Sequence, residues 1–435
     1  MGHTIGKDVY RKLGKKIDNL TMRAPWNETL HAILKELYSP EEAEIIVRMP
    51  FGLSTLDKIA AVTGYKTEEL HRLLEGLCEK GLVLDLFHEG SYHYAISPLV
   101  IGIFEFTMMR TGDNLNSREW ARLFHEYMLG DDSFLRSNCE NGEKISVLRA
   151  LPHEGSIKAS EYVEVLDYEK ASAIVDTWNV FAIGICSCRH EQLHLDKKEC
   201  DIPLDTCTSF GPAAEFVIRR NLGRAVSKSE ILDTIERSKE SGLALSADNV
   251  QKKVTFICHC CKCCCNIMLG INTFGYTNIL VTSNYYAEVD ETSCIGCGKC
   301  ATVCPVNVIT MRASQGTASR PKPEVNTALC LGCGVCAVKC PTGSIKLTHR
   351  QQRVIHPEDT FERILLQCIE KGTLQNFIFD NPQKMSHKIM RGVVGGFLRL
   401  PPVKKSIMSD TLRSRFLNQM RARAAKQGME RMLEM

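Results

Sequence analysis

The 435-residue chain lacks the short motifs that mark nucleotide-dependent chemistry. No Gly-x-Gly-x-x-Gly follows a candidate strand, so a dinucleotide-binding fold is not indicated. No Gly-x-x-x-x-Gly-Lys-Ser/Thr loop is present, which argues against ATP-driven chemistry within the chain. The Cys-x-x-x-Cys-x-x-Cys triplet of radical S-adenosylmethionine enzymes is also missing. Any flavin or nucleotide is therefore expected on a partner.

Long apolar runs and a large net charge are missing too. No run reaches the 18 or so apolar residues that span a bilayer; the nearest covers residues 98–109. The 54 basic residues are nearly matched by 51 acidic ones, so the net charge of +3 indicates neither nucleic acid nor membrane. Residues 1–7 contain no apolar signal segment, so the 21 cysteines predict a reducing cytoplasm rather than disulfides. We expect a soluble protein from an organism that tolerates oxygen poorly.

Cysteine is what the chain has in abundance, and eight cysteines form two copies of one pattern. Each copy reads Cys-x-x-Cys-x-x-Cys-x-x-x-Cys-Pro, and the second copy follows the first by 36 residues. Three thiolates on one tight loop can hold three irons of a cubane, while the fourth is turned toward the neighbouring cluster. The spacing therefore predicts two crossed ligand sets: Cys294, Cys297 and Cys300 with Cys340, and Cys330, Cys333 and Cys336 with Cys304.

Two zinc knuckles are the alternative, but they need no crossed eight-ligand repeat. Residues 286–350 resemble the bacterial two-cluster ferredoxins. This resemblance implies a compact module that holds two [4Fe-4S] clusters close enough for rapid electron exchange.

Ten more cysteines follow two predicted apolar strands, at residues 181–185 and 254–257, the first of which follows a helix predicted over 161–180. These cysteines are Cys186, Cys188, Cys200, Cys207, Cys258, Cys260, Cys261, Cys263, Cys264 and Cys265. Ten thiols suffice for two four-ligand clusters with two to spare, or for one larger non-cubane cluster. Zinc and vicinal disulfides are alternatives, although contiguous cysteines suit a closed zinc site poorly. Arg189, His259 and Lys262 are candidates to offset cluster charge or to hydrogen-bond its sulfurs, or else are solvated loop residues.

Residues 160–350 together resemble large 4Fe-4S-binding proteins of anaerobes, a family that carries no established substrate. The leading hypothesis is a relay that passes single electrons between a redox partner protein, the ferredoxin module and one or two further clusters. A second hypothesis makes the middle centre catalytic, with Arg189, His190 and His259 in contact with substrate or delivering protons. A third is a redox-sensing regulator.

The first 112 residues predict three helices and a hairpin, in an order that resembles a winged-helix domain. Ser39 and Glu42 form a candidate capping box for the first helix, and residues 82–87 and 92–96 read as strands. The helix that would read DNA carries four glutamates against one arginine and one lysine. Phosphate repulsion argues against DNA binding and favours a scaffold role.

The C-terminal tail is basic, with ten Lys and Arg against three Asp and Glu after residue 390. Leu412, Phe416, Met420 and Ala424 form one helical stripe. Basic residues cover the rest of that helix: Arg413, Arg415, Arg421, Arg423 and Lys426. This helix predicts peripheral contact with an anionic membrane or docking to an acidic redox partner, or else packs on its own domain.

The sequence therefore predicts an α+β multidomain protein with five parts. These are a winged-helix-like scaffold domain (1–112), a helical and loop linker (113–160), a cysteine-rich α/β metal-cluster domain (161–285), a two-cluster ferredoxin module (286–350) and a basic helical tail (351–435).

Overall fold

The computed structural model describes residues 2–88, 90–161, 165–313 and 320–426, with the side chains of 2–8, 410–412 and 423–426 left aside. The chain is a mixed α+β protein, as predicted, and divides into two compact units. Unit 1 contains residues 1–145, 219–222 and 358–435, and unit 2 contains residues 146–218 and 223–357. Within the part of the chain just given, every helix is too short or too polar to cross a membrane.

The N-terminal part of unit 1 consists of helices around a small antiparallel sheet. Its strands β1–β3 have the order β1-β3-β2. The elements in chain order are α1 (Gly2–Asp18), α2 (Glu28–Leu37), α3 (Pro40–Arg48), β1 (Ser54–Thr55), α4 (Leu56–Thr63), α5 (Thr67–Glu79), β2 (Val83–His88), β3 (Ser91–Ile96), α6 (Phe104–Met109), α7 (Ser117–Leu129) and α8 (Ser133–Cys139). The predicted capping box is present at the start of α3: Ser39 and Glu42 each accept a hydrogen bond from the other's backbone N–H. The predicted hairpin is confirmed to within one residue at each end.

A buried carboxylate connects the hairpin of unit 1 to the short segment 219–222, which belongs to the same unit. The side chain of Asp85 on β2 is fully buried and pairs with Arg219 at 2.9 Å and with Arg220 at 2.8 Å. Arg220 also makes two hydrogen bonds to Glu75 on α5. Since a buried charge is tolerated only when it is paired, these residues form one network.

The C-terminal part of unit 1 is helical, as predicted. It contains α16 (Thr360–Lys371), α17 (Leu374–Ile378), α18 (Met385–Leu398), α19 (Pro401–Ile407) and α20 (Asp410–Lys426). On α20, Leu417 is buried in the same apolar cluster as Phe361 of α16. Arg421 pairs with Asp359 at 2.7 Å, and Arg413 lies 3.9 Å from Glu362.

Part of the predicted stripe on α20 can be placed. Phe416 and Met420 pack against the apolar cluster. The side chains of Leu412, Ala424, Arg423 and Lys426 lie outside the described residues.

Unit 2 is built on a seven-stranded sheet with the strand order β10-β4-β8-β9-β6-β5-β7. Its strands are β4 (Leu148–Leu151), β5 (Phe181–Ile185), β6 (Asp205–Phe210), β7 (Gly223–Ala225), β8 (Ala244–Asp248), β9 (Phe256–Cys260) and β10 (Leu280–Val281). All its pairs are antiparallel except β10 with β4. The helices of this part are α9 (Ala171–Asp176), α10 (Ser187–His194), α11 (Gly211–Arg219), α12 (Lys228–Ser241) and α13 (Asn266–Phe274).

The helix predicted over residues 161–180 is wrong in length. Helix α9 covers only Ala171–Asp176 and is preceded by a 3-10 turn at Asp167–Glu169, while residues 162–164 of the predicted helix lie outside the described residues. The strand predicted at 181–185 is confirmed as β5, whereas the one predicted at 254–257 begins two residues later and runs into the cysteines. Valine and phenylalanine fit a strand, but tertiary pairing sets where β9 begins, since Phe256 is opposite Ser209 of β6.

The rest of unit 2 is a small module of two hairpin-like pairs and two short helices. Strand β11 (Tyr285–Val289) pairs with β14 (Ile345–His349), and β12 (Ile309–Arg312) pairs with β13 (Lys322–Val325). Helices α14 (Lys299–Val303) and α15 (Val335–Val338) follow the two cysteine loops.

Candidate metal centres

The two cysteine loops of the small module share one local geometry. In each copy the first two cysteines precede a short helix and the third lies on it, with Gly298 and Gly334 as left-handed residues at the helix start. Gly332 is also left-handed, and a Cβ there would lie 2.2 Å from Ser283 Oγ. Glycine is therefore needed at this position for close packing of the loop against protein atoms as well as for the turn.

The second loop is more buried than the first. Cys297 is exposed and Cys294 is partly exposed, whereas the cysteines of the second loop up to the helix are buried. The three buried cysteines line one small apolar cavity together with Cys304: Cys330, Cys333 and Cys336. These four residues are one of the two crossed sets that the spacing predicts.

Without a bound metal, burial favours the neutral, protonated form of the thiols in the second loop. Burial raises the pKa of Cys333 to about 12 and also raises that of Cys330. At Cys340, burial opposes ionisation, but hydrogen bonds from Ser344 and Thr342 outweigh it and lower the pKa to about 7. Binding of a cationic metal would therefore release protons from the buried loop and supply the charge that buried thiolates need.

The ten other cysteines converge because of the sheet topology. Strands β5 and β9 both run antiparallel to β6, so both end at the edge where β6 begins. Cys186 directly follows β5, Cys207 lies near the start of β6, and Cys258 and Cys260 end β9. A single edge of the sheet therefore gathers cysteines that are far apart in sequence.

Four of these thiols form what we call the Cys200 group. It consists of Cys200, Cys261, Cys263 and Cys264, whose four sulfur atoms all lie within 4.8 Å of one another. The Cys200 sulfur is 3.8 Å from that of Cys261 and 3.9 Å from that of Cys264, and the Cys263 and Cys264 sulfurs are 3.4 Å apart. A turn after β9 allows three ligands in four residues to face one point.

Four further thiols form what we call the Cys188 group: Cys188, Cys258, Cys260 and Cys265. The thiols of Cys188 and Cys260 both hydrogen-bond to Cys265, and Cys260 also contacts Cys258. Cys258 and Cys260 can take part together because alternate residues of a strand point to the same face. We assign Cys186 and Cys207 to neither group, although Cys186 interacts with the charges of Cys258 and Cys261, one from each group.

Each group holds one thiol that is disposed to ionise. Hydrogen bonds from Cys188 and Cys260 hold the pKa of Cys265 well below its ordinary value, and backbone N–H groups at the start of α13 assist. A hydrogen bond from Cys264, and then the charge of Arg189, lower the pKa of Cys261 to about 5. Thiolates are the form that binds metal, so both groups are suited to metal.

Arg189 is the only fully buried cation described beside the cysteines. Its guanidinium donates hydrogen bonds to Thr206 Oγ1, to the carbonyl of His259 and, at 3.2 Å, to the carbonyl of Pro203. It also hydrogen-bonds to the Cys261 sulfur. These contacts fix a positive charge against the Cys200 group.

The other two predicted side chains have different surroundings. Both ring nitrogens of buried His259 bond within the protein, Nδ1 to Ser238 Oγ at 2.7 Å and Nε2 to Thr208 Oγ1 at 3.2 Å. Burial, reinforced by the charge of Arg189, lowers the pKa of His259 to about 3, so the ring is neutral. Lys262 Nζ donates to the carbonyl of Thr302 at 3.2 Å.

The sequence analysis did not identify Ser238 and Thr208 as partners of His259. They lie on α12 and β6, far from His259 in sequence. The signal that was available is the alternation in β9, which places His259 opposite its two cysteine neighbours.

Comparison with known proteins supports the small module. Residues 293–344 match the family described as a 4Fe-4S dicluster domain. No curated protein and no solved structure is significantly similar to the chain. The chain therefore contains a 4Fe-4S dicluster domain, accompanied by a second cysteine-rich region that could hold metal.

Proposed function

We propose that this chain is an electron relay that connects the two clusters of the dicluster domain with a third cluster held by the Cys188 group. Iron-sulfur clusters supply one-electron transfer when bound. The chain's own residues provide the ligands, exclude water from the buried loop and fix the spacing between the centres. The external donor or acceptor is proposed to be a redox partner protein.

The observation that carries this proposal is the direct contact between the two cysteine regions. Lys262, within the cysteine block, donates to the carbonyl of Thr302 on α14, the helix that carries Cys300. Asn272 on α13 donates to the carbonyl of Pro305 at 2.9 Å. Lys262 is two residues from Cys260, and Thr302 is two residues from Cys300, so the covalent and hydrogen-bonded path through this bond is short. The bond from Asn272 reaches the residue next to Cys304 and is seven residues from Cys265.

The exposure of the first loop suggests where electrons would be exchanged with a partner. Cys297 is exposed, and its neighbour Ile295 is 42% exposed. By contrast, the second loop and the Cys188 group are largely buried. We infer that the partner docks at the first loop and that electrons pass inward from it.

The winged-helix interpretation of residues 1–112 belongs to this proposal as a scaffold. The order of α3, β1, α4, α5, β2 and β3 and the three-stranded antiparallel sheet support it. In addition, the pairing of Glu75 on α5 with Arg220 uses a side chain of the helix that would otherwise face DNA.

Freeze-quench electron paramagnetic resonance tests the relay. The oxidised protein is mixed without oxygen with less than one equivalent of a low-potential reductant. Dicluster signals are expected first, and signals of the third cluster later. In Cys336→Ser, reduction of the third cluster should slow at least tenfold, while the matched variant of a buried thiol in α16, Cys368→Ser, should behave as wild type. If the third cluster is reduced equally fast without an intact dicluster domain, the relay is refuted.

A further inference from the structure

We infer that the Cys200 group binds a single tetrahedral metal ion, Zn²⁺, rather than an iron-sulfur cluster. The inference concerns a site beside the relay and deepens the proposed function, because it restricts the middle region to one cluster. It rests on the distances among four sulfur atoms and on the charge around them.

The sulfur distances fit one ion. With a Zn–S bond of about 2.3 Å, neighbouring sulfurs of a tetrahedron are about 3.8 Å apart. The Cys200 sulfur lies 3.8 Å from Cys261 and 3.9 Å from Cys264, and no pair in the group exceeds 4.8 Å. Ligands of a cubane lie farther apart, because each binds a different corner of a cube of iron and sulfide. In the Cys188 group the hydrogen-bonded pairs form a chain, Cys188–Cys265–Cys260–Cys258. Among the described residues, the Cys200 group is the set whose sulfurs all lie within 4.8 Å of one another.

The closed ligand set and its burial fit a structural ion as well, and the turn at residues 262–264 removes the objection that contiguous cysteines suit a zinc site poorly. Four thiolates close the coordination shell and leave no position for substrate, as in structural zinc sites. Cys261 and Cys264 are buried, and Leu243 and Ile202 pack against the group. Three of the ligands are contributed by the turn between β9 and α13, and Cys200 comes from the loop before β6, so one ion would fasten that loop to the turn.

Arg189 would offset part of the negative charge of the proposed zinc site. Four thiolates on Zn²⁺ leave a net charge of −2, which is costly to bury without compensation. The guanidinium of Arg189 is fully buried and hydrogen-bonds to the Cys261 sulfur. A cation held in this way offsets part of the charge and orients one ligand.

Metal analysis of the full chain, purified without oxygen, tests this site. Wild type should contain about one zinc per chain besides its iron. Cys200→Ser, which changes the partly exposed ligand in a loop, should lose the zinc and keep its iron. Cys207→Ser, a middle-region cysteine outside both groups, should keep both metals.

X-ray absorption at the zinc edge gives a readout that does not depend on a variant's folding. The inference predicts four sulfur neighbours at about 2.3 Å and no iron neighbour. It is overturned if wild type holds no zinc, if Cys200→Ser loses about four irons, or if the extra metal is one high-spin iron. Loss of iron from Cys258→Ser reports on the third cluster instead, so failure of the zinc site and failure of the relay are distinguishable.

A second inference rests on a different observation: we propose that helix α18 lies on the surface of an anionic membrane. Six apolar side chains on α18 and just after its end are 40–66% exposed: Met385, Ile389, Met390, Val393, Phe397 and Leu400. All of them except Met390 are three or four residues apart, so these five lie along one helical face. Exposed apolar patches of this kind mark interaction sites.

The charges around this face favour a membrane over a second copy of the chain. Residues 381–409 contain six Lys or Arg and no Asp or Glu. Lys388 is exposed on α18, and Lys384 and Arg399 are exposed directly before and after the helix. Two such basic surfaces would repel each other, whereas an apolar stripe flanked by lysine and arginine suits anionic headgroups.

Vesicle flotation tests the membrane surface. The full chain should bind vesicles of phosphatidylglycerol and phosphatidylcholine roughly 100-fold more tightly than phosphatidylcholine alone, because three exposed cations face the headgroups. Ile389→Glu should weaken binding at least tenfold, whereas Ile355→Glu, at an equally exposed isoleucine outside the stripe, should not. Equal binding by Ile389→Glu, no vesicle binding by wild type, or a concentration-dependent dimer that Ile389→Glu abolishes would overturn the proposal.

Discussion

Replacing Arg189 by glutamine removes a buried positive charge from beside the proposed metal centres. The guanidinium hydrogen-bonds to Cys261 and interacts with the charge of Cys260, which belongs to the Cys188 group. With an assumed separation of about 8 Å between the charge and the cluster and an effective dielectric constant of about 20, one unit charge contributes about 2 kcal/mol. For a one-electron couple this corresponds to about 90 mV, since 59 mV equals about 1.4 kcal/mol. Reduction adds an electron, so loss of the cation should lower the potential of the third cluster by about 90 mV.

A redox titration followed by electron paramagnetic resonance measures this shift, with iron content confirming that the cluster is present. Arg189→Lys keeps the charge and should recover most of the potential. Arg149→Gln is the matched control, because Arg149 is also fully buried but interacts with Glu169 and Asp248 rather than with cysteines. A shift below about 20 mV in Arg189→Gln, or an equal shift in Arg149→Gln, would refute the electrostatic reasoning.

Three further predictions concern the third cluster, pH dependence and unit 1. Cys258→Ser should lose about four irons per chain by metal analysis, whereas Cys207→Ser should lose none. Burial lowers the pKa of His356 from 6.5 to about 3. The unfolded chain therefore binds this proton at higher pH than the folded chain. As the pH is lowered from 6.5 to 3, the unfolding free energy should consequently fall by up to about 1.4 kcal/mol per pH unit. Denaturant titrations of His356→Gln should lack this contribution. Asp85→Asn should destabilise unit 1 by about 3–5 kcal/mol in denaturant unfolding, because Arg219 loses its carboxylate partner and Arg220 keeps only Glu75. Glu44→Gln, in the exposed pair with Arg48, should cost less than about 1 kcal/mol.

Local signals in the sequence predicted local structure well. The capping box at Ser39, the hairpin and β5 depend on short-range turn chemistry and on alternation, and the structure contains them. The dicluster repeat is also local, since each loop carries three ligands within seven residues. The helix predicted over 161–180 was too long because its apolar face, Ala171, Ile174 and Val175, extends over only five residues. Among the described residues, the helix covers Ala171–Asp176 and Asp167–Glu169 form a 3-10 turn.

What the sequence could not supply was long-range pairing. The division of the ten middle cysteines into two groups depends on β5 and β9 ending at the same sheet edge, which no local pattern encodes. The same holds for Cys200, which reaches its partners 61 to 64 residues later. Likewise, the basic character of the tail was evident from the sequence, but the different surroundings of its helices were not. Apolar side chains of α18 are exposed, whereas Arg413 and Arg421 of α20 lie beside acidic side chains.

Iron and sulfide analysis of the protein purified without oxygen, together with a reductive electron paramagnetic resonance titration, tests the central claim most directly. The account predicts about twelve irons and twelve sulfides per chain, with two dicluster signals and a third that disappears in Cys258→Ser. About eight irons, with no signal beyond the two of the dicluster domain, would contradict the third cluster and with it the relay.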